Sequence, residues 1–123
     1  FSGSLRDGVS ATAAKPGWIV NLTNDAWFGR TPGPYQHFQQ ARLRGIEEGL
    51  AVVRVANTGI SAAADAYGNV LRILPLGVQG TADFTLPPAT GETLFSRFGH
   101  QPFGGLLIAC MAIALIARRR ALT

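Results

Sequence analysis

The rhythm of apolar and polar positions changes three times along the chain, and near its end it disappears. Phe103 to Ala117 (FGGLLIACMAIALIA) is apolar on every side and runs directly into Arg118, Arg119 and Arg120. Such a run is shorter than the roughly 20 residues a helix needs to span a hydrocarbon core. Gln101, Pro102 and snorkelling arginines extend it to about 18, and thinning of the bilayer absorbs the rest. A buried core helix would fit the same length, but the apolar circumference and basic flank favour a membrane helix. The positive-inside rule places Arg118–Arg120 in the cytoplasm and everything before residue 102 on the opposite side. A signal peptide is excluded, because the charges follow the apolar run instead of preceding it.

Upstream of this segment the pattern is that of an α/β unit. Ser10 to Ala14 reads as a helix end closed by Lys15-Pro16-Gly17. Trp18 to Leu22 (WIVNL) is a short run of buried-strand type. Thr23 to Pro34 is rich in Gly, Pro and Asn and predicts a loop. Tyr35 to Glu48 has helical spacing, with Tyr35, Phe38, Ala41 and Ile46 on one stripe, Leu43 at its edge and Gly49 as the stop. Leu50 to Ala56 (LAVVRVA) is strand-like, and Asn57-Thr58-Gly59 turns the chain so that Ile60 to Ala64 pairs back on it. A second turn at Ala66-Tyr67-Gly68-Asn69 leads into a strand at Val70 to Leu74. Gly80 to Leu86 alternates, which predicts a last strand with Ala82, Phe84 and Leu86 on one face before Pro87-Pro88 ends it. Strand, helix and then short strands define an α+β or layered α/β fold, neither a bundle nor a repeat. A sheet built outward from Trp18–Leu22 has an open edge on its N-terminal side. Residues 1–100 are small for a stable core of their own, so the chain is expected to be the C-terminal part of a larger protein.

Composition narrows the function classes. The 123 residues are 47% apolar and 15% charged, unlike a disordered chain or a coiled coil. Three of the four net positive charges are Arg118, Arg119 and Arg120, so the rest of the surface is nearly neutral and offers no broad phosphate footprint. Nucleic acid is therefore not an expected partner. A single cysteine rules out an internal disulfide and any Cys-based zinc cluster.

Candidate chemistry is sparse. Cys110 lies in the middle of the apolar run, where a desolvated thiolate is disfavoured. Lys15 reads as a solvated loop residue. His37 and His100 have neither a cysteine nor paired carboxylates at ligand spacing, so no metal is expected. No serine sits in a nucleophile elbow. Arg44 reads as a solvated salt bridge to Glu47 (i,i+3) and Glu48 (i,i+4). Arg54, inside an apolar strand, demands a buried or half-buried acidic partner. The informative stretch is Asn21-Leu22-Thr23-Asn24-Asp25-Ala26-Trp27-Phe28-Gly29, where a buried-type strand runs into a polar loop. Loops at strand ends are where α/β folds place binding groups. Asn24 and Asp25 can fix a turn through side-chain to backbone bonds, while Trp27 and Phe28 can wall an apolar pocket. An ordinary turn with aromatics packed into the core is the competing reading.

The ordered motifs NLTNDAWFG at 21–29, GPYQHF at 33–38, ARLRGIE at 41–47 and RVANTGIS at 54–61 resemble those of the apolipoprotein N-acyltransferases. Asp65-Ala66-Tyr67-Gly68 and Arg97-Phe98-Gly99 are also in pattern. These bacterial inner-membrane enzymes carry a nitrilase-superfamily domain on the periplasmic side. The resemblance implies the C-terminal part of a nitrilase-like α-β-β-α sandwich over residues 1–100, then one transmembrane helix and a cytoplasmic basic tail over 101–123. It also implies acyl transfer in two steps: a cysteine thiolate takes an acyl chain from a phospholipid, and the thioester acylates the N-terminal amine of a diacylglyceryl-cysteine lipoprotein. The family uses Cys, Glu and Lys for this and no cofactor; in its pattern all three lie upstream of Phe1. Cys110, Lys15, Glu47 and Glu48 do not occupy those positions, so no catalytic residue is assigned and this stretch alone is expected to be inactive. Asn24, Asp25, Trp27 and Phe28 are the expected substrate-binding residues, bordering the acyl site. Arg44, Glu47 and Arg54 are expected to be structural. The implied partners are phospholipid, lipoprotein and membrane, with the protein acting as a monomer. Two alternatives stay open, a nitrilase-superfamily amidase acting on a soluble amide and an inactive membrane-anchored module.

Overall fold

In a computed structural model the described residues are 16–121, with side chains to residue 118. The predicted helix end at Ser10–Ala14 and Lys15 lie outside them, as do the side chains of Arg119 and Arg120. Strand β1 (Trp18–Asn24) crosses over through helix α1 (Gly33–Glu48) to β2 (Ala51–Asn57), which lies parallel to β1. Strands β3 (Ser61–Ala64) and β4 (Val70–Leu74) then add antiparallel, giving the order β1-β2-β3-β4. The parallel pair needs the helical crossover, whereas the antiparallel pairs need only turns. A single-turn 3₁₀ helix at Ala26–Phe28 follows β1 directly, so the predicted strand is two residues longer and the predicted loop correspondingly shorter.

The sheet has two unlike faces. Register sets Ile19, Asn21 and Thr23 of β1 beside Val52, Arg54 and Ala56 of β2, with Ala62 and Ala64 of β3 continuing the row. Helix α1 covers this face, and Phe38, Ile60 and Ala62 form a buried cluster there with Leu76 packed against it. Close approach depends on Gly45, because a Cβ at that position would lie 2.5 Å from Val52 Cγ2 and 2.9 Å from the Leu50 carbonyl oxygen. The helix therefore buries Pro34, Phe38, Gly45 and Glu48. The predicted stripe is rotated from this by about one residue, leaving Tyr35, Leu43 and Ile46 exposed. Hydropathy spacing missed the rotation because two of the true contact positions are a glycine and a charged residue. The opposite face presents Trp18, Val20, Leu22 and Val55, each 45–73% exposed.

The predicted strand at Gly80–Leu86 does not form, and residues 79–93 contain no regular element. Instead, Gly80, Thr81, Ala82 and Phe84 join Val53, Val55, Ser61 and Ala63 around a cavity of about 330 Å³ on the open face. An extended segment laid across a sheet alternates like a strand without pairing with its edge, which is why the period misled. Further on, Thr93 caps α2 (Leu94–Phe98): its hydroxyl accepts from the Ser96 amide, and Ser96 Oγ accepts from the Thr93 amide. This segment docks on the end of α1 through Thr90 N–H to Gly49 O at 3.0 Å and Arg44 over the Phe95 ring at 5.6 Å. Glu48 is consequently buried, not solvated as the sequence suggested; it pairs with Arg44 at 3.2 Å while Glu47 takes the same guanidinium at 3.0 Å. Helix α3 (Gln101–Ala121) absorbs the predicted apolar run and continues through the arginines. Its Gln101–Arg118 stretch is long and apolar enough to cross a membrane, and none of it is buried against the rest of the chain.

The β3–β4 turn is tied by Asp65. Its Oδ1 accepts from the Tyr67 and Asn69 amides at 2.9 and 2.8 Å, and its Oδ2 from Asn69 Nδ2 at 2.9 Å. Slight burial pushes the carboxyl up, but hydrogen bonds from Asn69, Tyr67 and Gly68 outweigh it and hold the group below 3.8. A depressed folded-state value means stability that is complete above the ordinary carboxylate range and lost as pH falls through it. The stability margin of the intact protein over its Asp65→Ala variant is thus expected to be constant at neutral pH and to narrow below 3.8. Thermal midpoints measured across that range check this; a margin that does not change with pH would contradict it.

Candidate functional site

The site is assembled where β1 ends. Asn24 Oδ1 accepts from the Ala26 amide at 3.1 Å and from Asn57 Nδ2 at 3.2 Å, so it fixes the turn and links it to the end of β2. This is the side-chain turn chemistry expected of Asn24. Asp25 behaves differently. Its amide donates to Asn57 O at 3.1 Å, and its side chain makes no cap to the 3₁₀ turn but enters the interior with no solvent exposure.

Inside, Asp25 meets the acid-seeking arginine. Arg54 Nη2 donates to Asp25 Oδ2 at 2.6 Å, and both side chains are fully buried. The other two Arg54 nitrogens also donate: Nη1 to Asn21 Oδ1 at 2.5 Å and Nε to the Ile60 carbonyl at 3.2 Å. The strand pattern puts Arg54 and Asn21 side by side in register on the helix-covered face. The other Asp25 oxygen accepts from His37 Nδ1 at 2.8 Å and from Thr23 Oγ1 at 3.3 Å. A buried carboxylate is tolerable only with compensation of this kind. There is no room for anything larger at the neighbouring turn: a Cβ on Gly59 would fall 2.7 Å from Asp25 Cβ.

Next to this ion pair the surface is apolar and open. Trp27 is 85% exposed, and its ring stands edge-on to Phe28 at 6.3 Å and 76°. A cleft of about 260 Å³ takes its walls from Ala26, Gly29 and Arg30 on either side of the pair, with Thr58, Leu76 and Gly77 opposite and Asp25 at its base. Thr58 holds φ at 57°, a conformation that costs a β-branched residue on the order of 1–3 kcal/mol and is typical of functional loops.

Of the four expected binding residues, Asn24, Trp27 and Phe28 lie at the surface of this corner, whereas Asp25 lies beneath it with both oxygens occupied. The geometry suits Asp25 to holding the corner and not to touching a ligand. Cys110 is exposed on α3, and among the described residues no three His, Cys, Asp or Glu side chains converge as a metal site would require. His37 was missed from the sequence. Its partner is 12 residues away across a loop, so spacing along its own helix gave no sign of it. The available signal was Arg54, whose need for an acid pointed to whatever else shares Asp25.

A family model described as carbon-nitrogen hydrolase matches residues 8–94. The apolipoprotein N-acyltransferase of Rhodopseudomonas palustris is 46% identical over 113 residues, covering 92% of this chain and 21% of that protein. That of Bradyrhizobium diazoefficiens is 50% identical over 112 residues, covering 91% and 20%. That of Rhizobium rhizogenes is 57% identical over 100 residues, covering 81% and 19%. The chain spans about a fifth of the length of these curated relatives.

Proposed function

This chain belongs to the carbon–nitrogen hydrolase family, and we propose that it is the C-terminal part of an apolipoprotein N-acyltransferase. The observation that carries this reading is where the similarity stops. A match over 92% of the chain has to continue beyond the hydrolase unit, which the family model leaves at residue 94, and into α3. A hydrolase acting on a soluble amide has no use for a helix fit to cross a membrane, whereas an enzyme that draws its acyl group from a phospholipid does.

In this reading residues 1–100 lie on the periplasmic face of the bacterial inner membrane and residues 101–123 form the anchor, with Arg118–Arg120 in the cytoplasm. The open sheet face of Trp18, Val20, Leu22 and Val55 packs against the second sheet of the sandwich. A cysteine thiolate upstream of Phe1 attacks the ester carbonyl of a phospholipid, forming a thioester and releasing the lysophospholipid. The N-terminal amine of a diacylglyceryl-cysteine lipoprotein then attacks the thioester, forming the amide and freeing the thiolate. Glu and Lys of the family pattern, also upstream, serve as base and oxyanion partner. Asn24, Trp27 and Phe28 border the acyl site, and Asp25 holds them. The protein acts as a monomer and requires no cofactor.

Incubating the intact, detergent-purified protein with phospholipid and a diacylglyceryl peptide tests this. The peptide is expected to gain one acyl chain as lysophospholipid appears. Release of ammonia from small amides, with the peptide unchanged, would instead establish the amidase alternative.

A further inference from the structure

His37 touches both ends of the turn that carries Trp27. At one end, a carboxylate can only accept, so the 2.8 Å contact with Asp25 Oδ1 fixes the proton on His37 Nδ1. Arg54 Nη2 approaches the same nitrogen at 3.3 Å, and with the proton there this is a donor against a donor, a contact and not a bond. At the other end, the imidazole lies 5.9 Å from the Phe28 ring at a tilt of 58°. Phe28 also rests against the start of α1, where a Cβ on Gly33 would fall 2.6 Å from Phe28 Cδ1. Gly33 and His37 are one helical turn apart, so Phe28 is seated on a single face of α1.

Trp27 has no such seat. It is 85% exposed, and the ring contact the structure gives it among the described residues is the one to Phe28. Its direction therefore depends on Phe28, and that of Phe28 on His37, which Asp25, itself paired with Arg54, holds from inside. We propose that His37 is a positioning residue, a latch between Asp25 and Phe28 that fixes the Trp27–Phe28 corner against which the phospholipid acyl chain lies. This deepens the acyltransferase reading and rests on it. The latch uses only the Nδ1–H, the donor in the contact with Asp25.

The test uses the intact protein with phospholipid as acyl donor, following thioester formation. His37→Ala is expected to raise KM for phospholipid about tenfold with kcat changed less than about twofold, the loss of a charge-assisted hydrogen bond and a ring contact. His37→Asn places an amide N–H near the Nδ1 position and is expected to return KM to within about threefold, with an unchanged pH profile. In protein labelled with 5-fluorotryptophan, the Trp27 resonance, identified by its absence in Trp27→Phe, is expected to shift in the alanine variant and to recover in the asparagine variant. A folded His37→Ala protein with native KM and an unmoved Trp27 resonance would overturn the latch. So would loss of kcat in both variants, which would make His37 a proton-transfer group. If the alanine variant does not fold, the asparagine variant decides: near-native KM supports the latch and lost turnover overturns it. Unchanged turnover in Trp27→Ala would remove the acyl-site reading instead, while the fluorine shift still reports whether the latch exists.

Discussion

Replacing Arg54 by methionine in the intact protein is expected to cost about 3–5 kcal/mol of stability, because the carboxylate of Asp25 is left buried without its counter-charge. The carboxylate is covered and crowded: the Asp25 side chain has no solvent exposure, Gly59 presses on it, and its other oxygen accepts from His37 and Thr23. Asn21 Oδ1 and the Ile60 carbonyl lose a donor at the same time. The double variant Arg54→Met, Asp25→Asn is expected to recover much of the loss, since the orphaned charge is gone. Thermal unfolding of the three proteins in detergent measures this. A single variant as stable as the parent would show that the pair is not sealed from water as the structure places it.

Trp27→Ala is expected to separate activity from stability. An indole that is 85% exposed contributes little to folding, so stability should move by no more than about 0.5 kcal/mol. Acyl transfer, by contrast, is expected to fall roughly 10- to 100-fold, the loss of one large apolar surface from a substrate contact. Rates with phospholipid donors, set beside the unfolding midpoint, decide the point. Unchanged turnover with native stability would remove Trp27 from the acyl site.

The elements with regular periods were legible in the sequence. β2 and β4 are found within a residue or less of their predicted bounds, and α1 differs by two residues at its start. The closing glycine is also as read: Gly49 takes a left-handed φ of 68° and its amide closes on the end of α1. The demand of Arg54 for a buried acid was legible too, because no apolar strand tolerates an unpaired guanidinium. What the sequence hid was tertiary. The rotated face of α1 depends on Gly45 meeting Val52, a contact that hydropathy does not register. The extended segment at Gly80–Phe84 rests on the sheet face, where alternation looks the same as in a paired strand. The sequence offers Asp25 as a turn-fixing and substrate-binding residue, and only the position of Arg54 across the sheet marks it as the buried partner. His37 required knowing that the loop folds back over α1.

The most direct measurement is mass spectrometry of the intact protein after incubation with phospholipid alone. The expected product is an acyl thioester on the cysteine upstream of Phe1 that disappears when a diacylglyceryl peptide is added. Absence of that adduct from a protein that still acylates the peptide, or hydrolyses amides instead, would contradict the account.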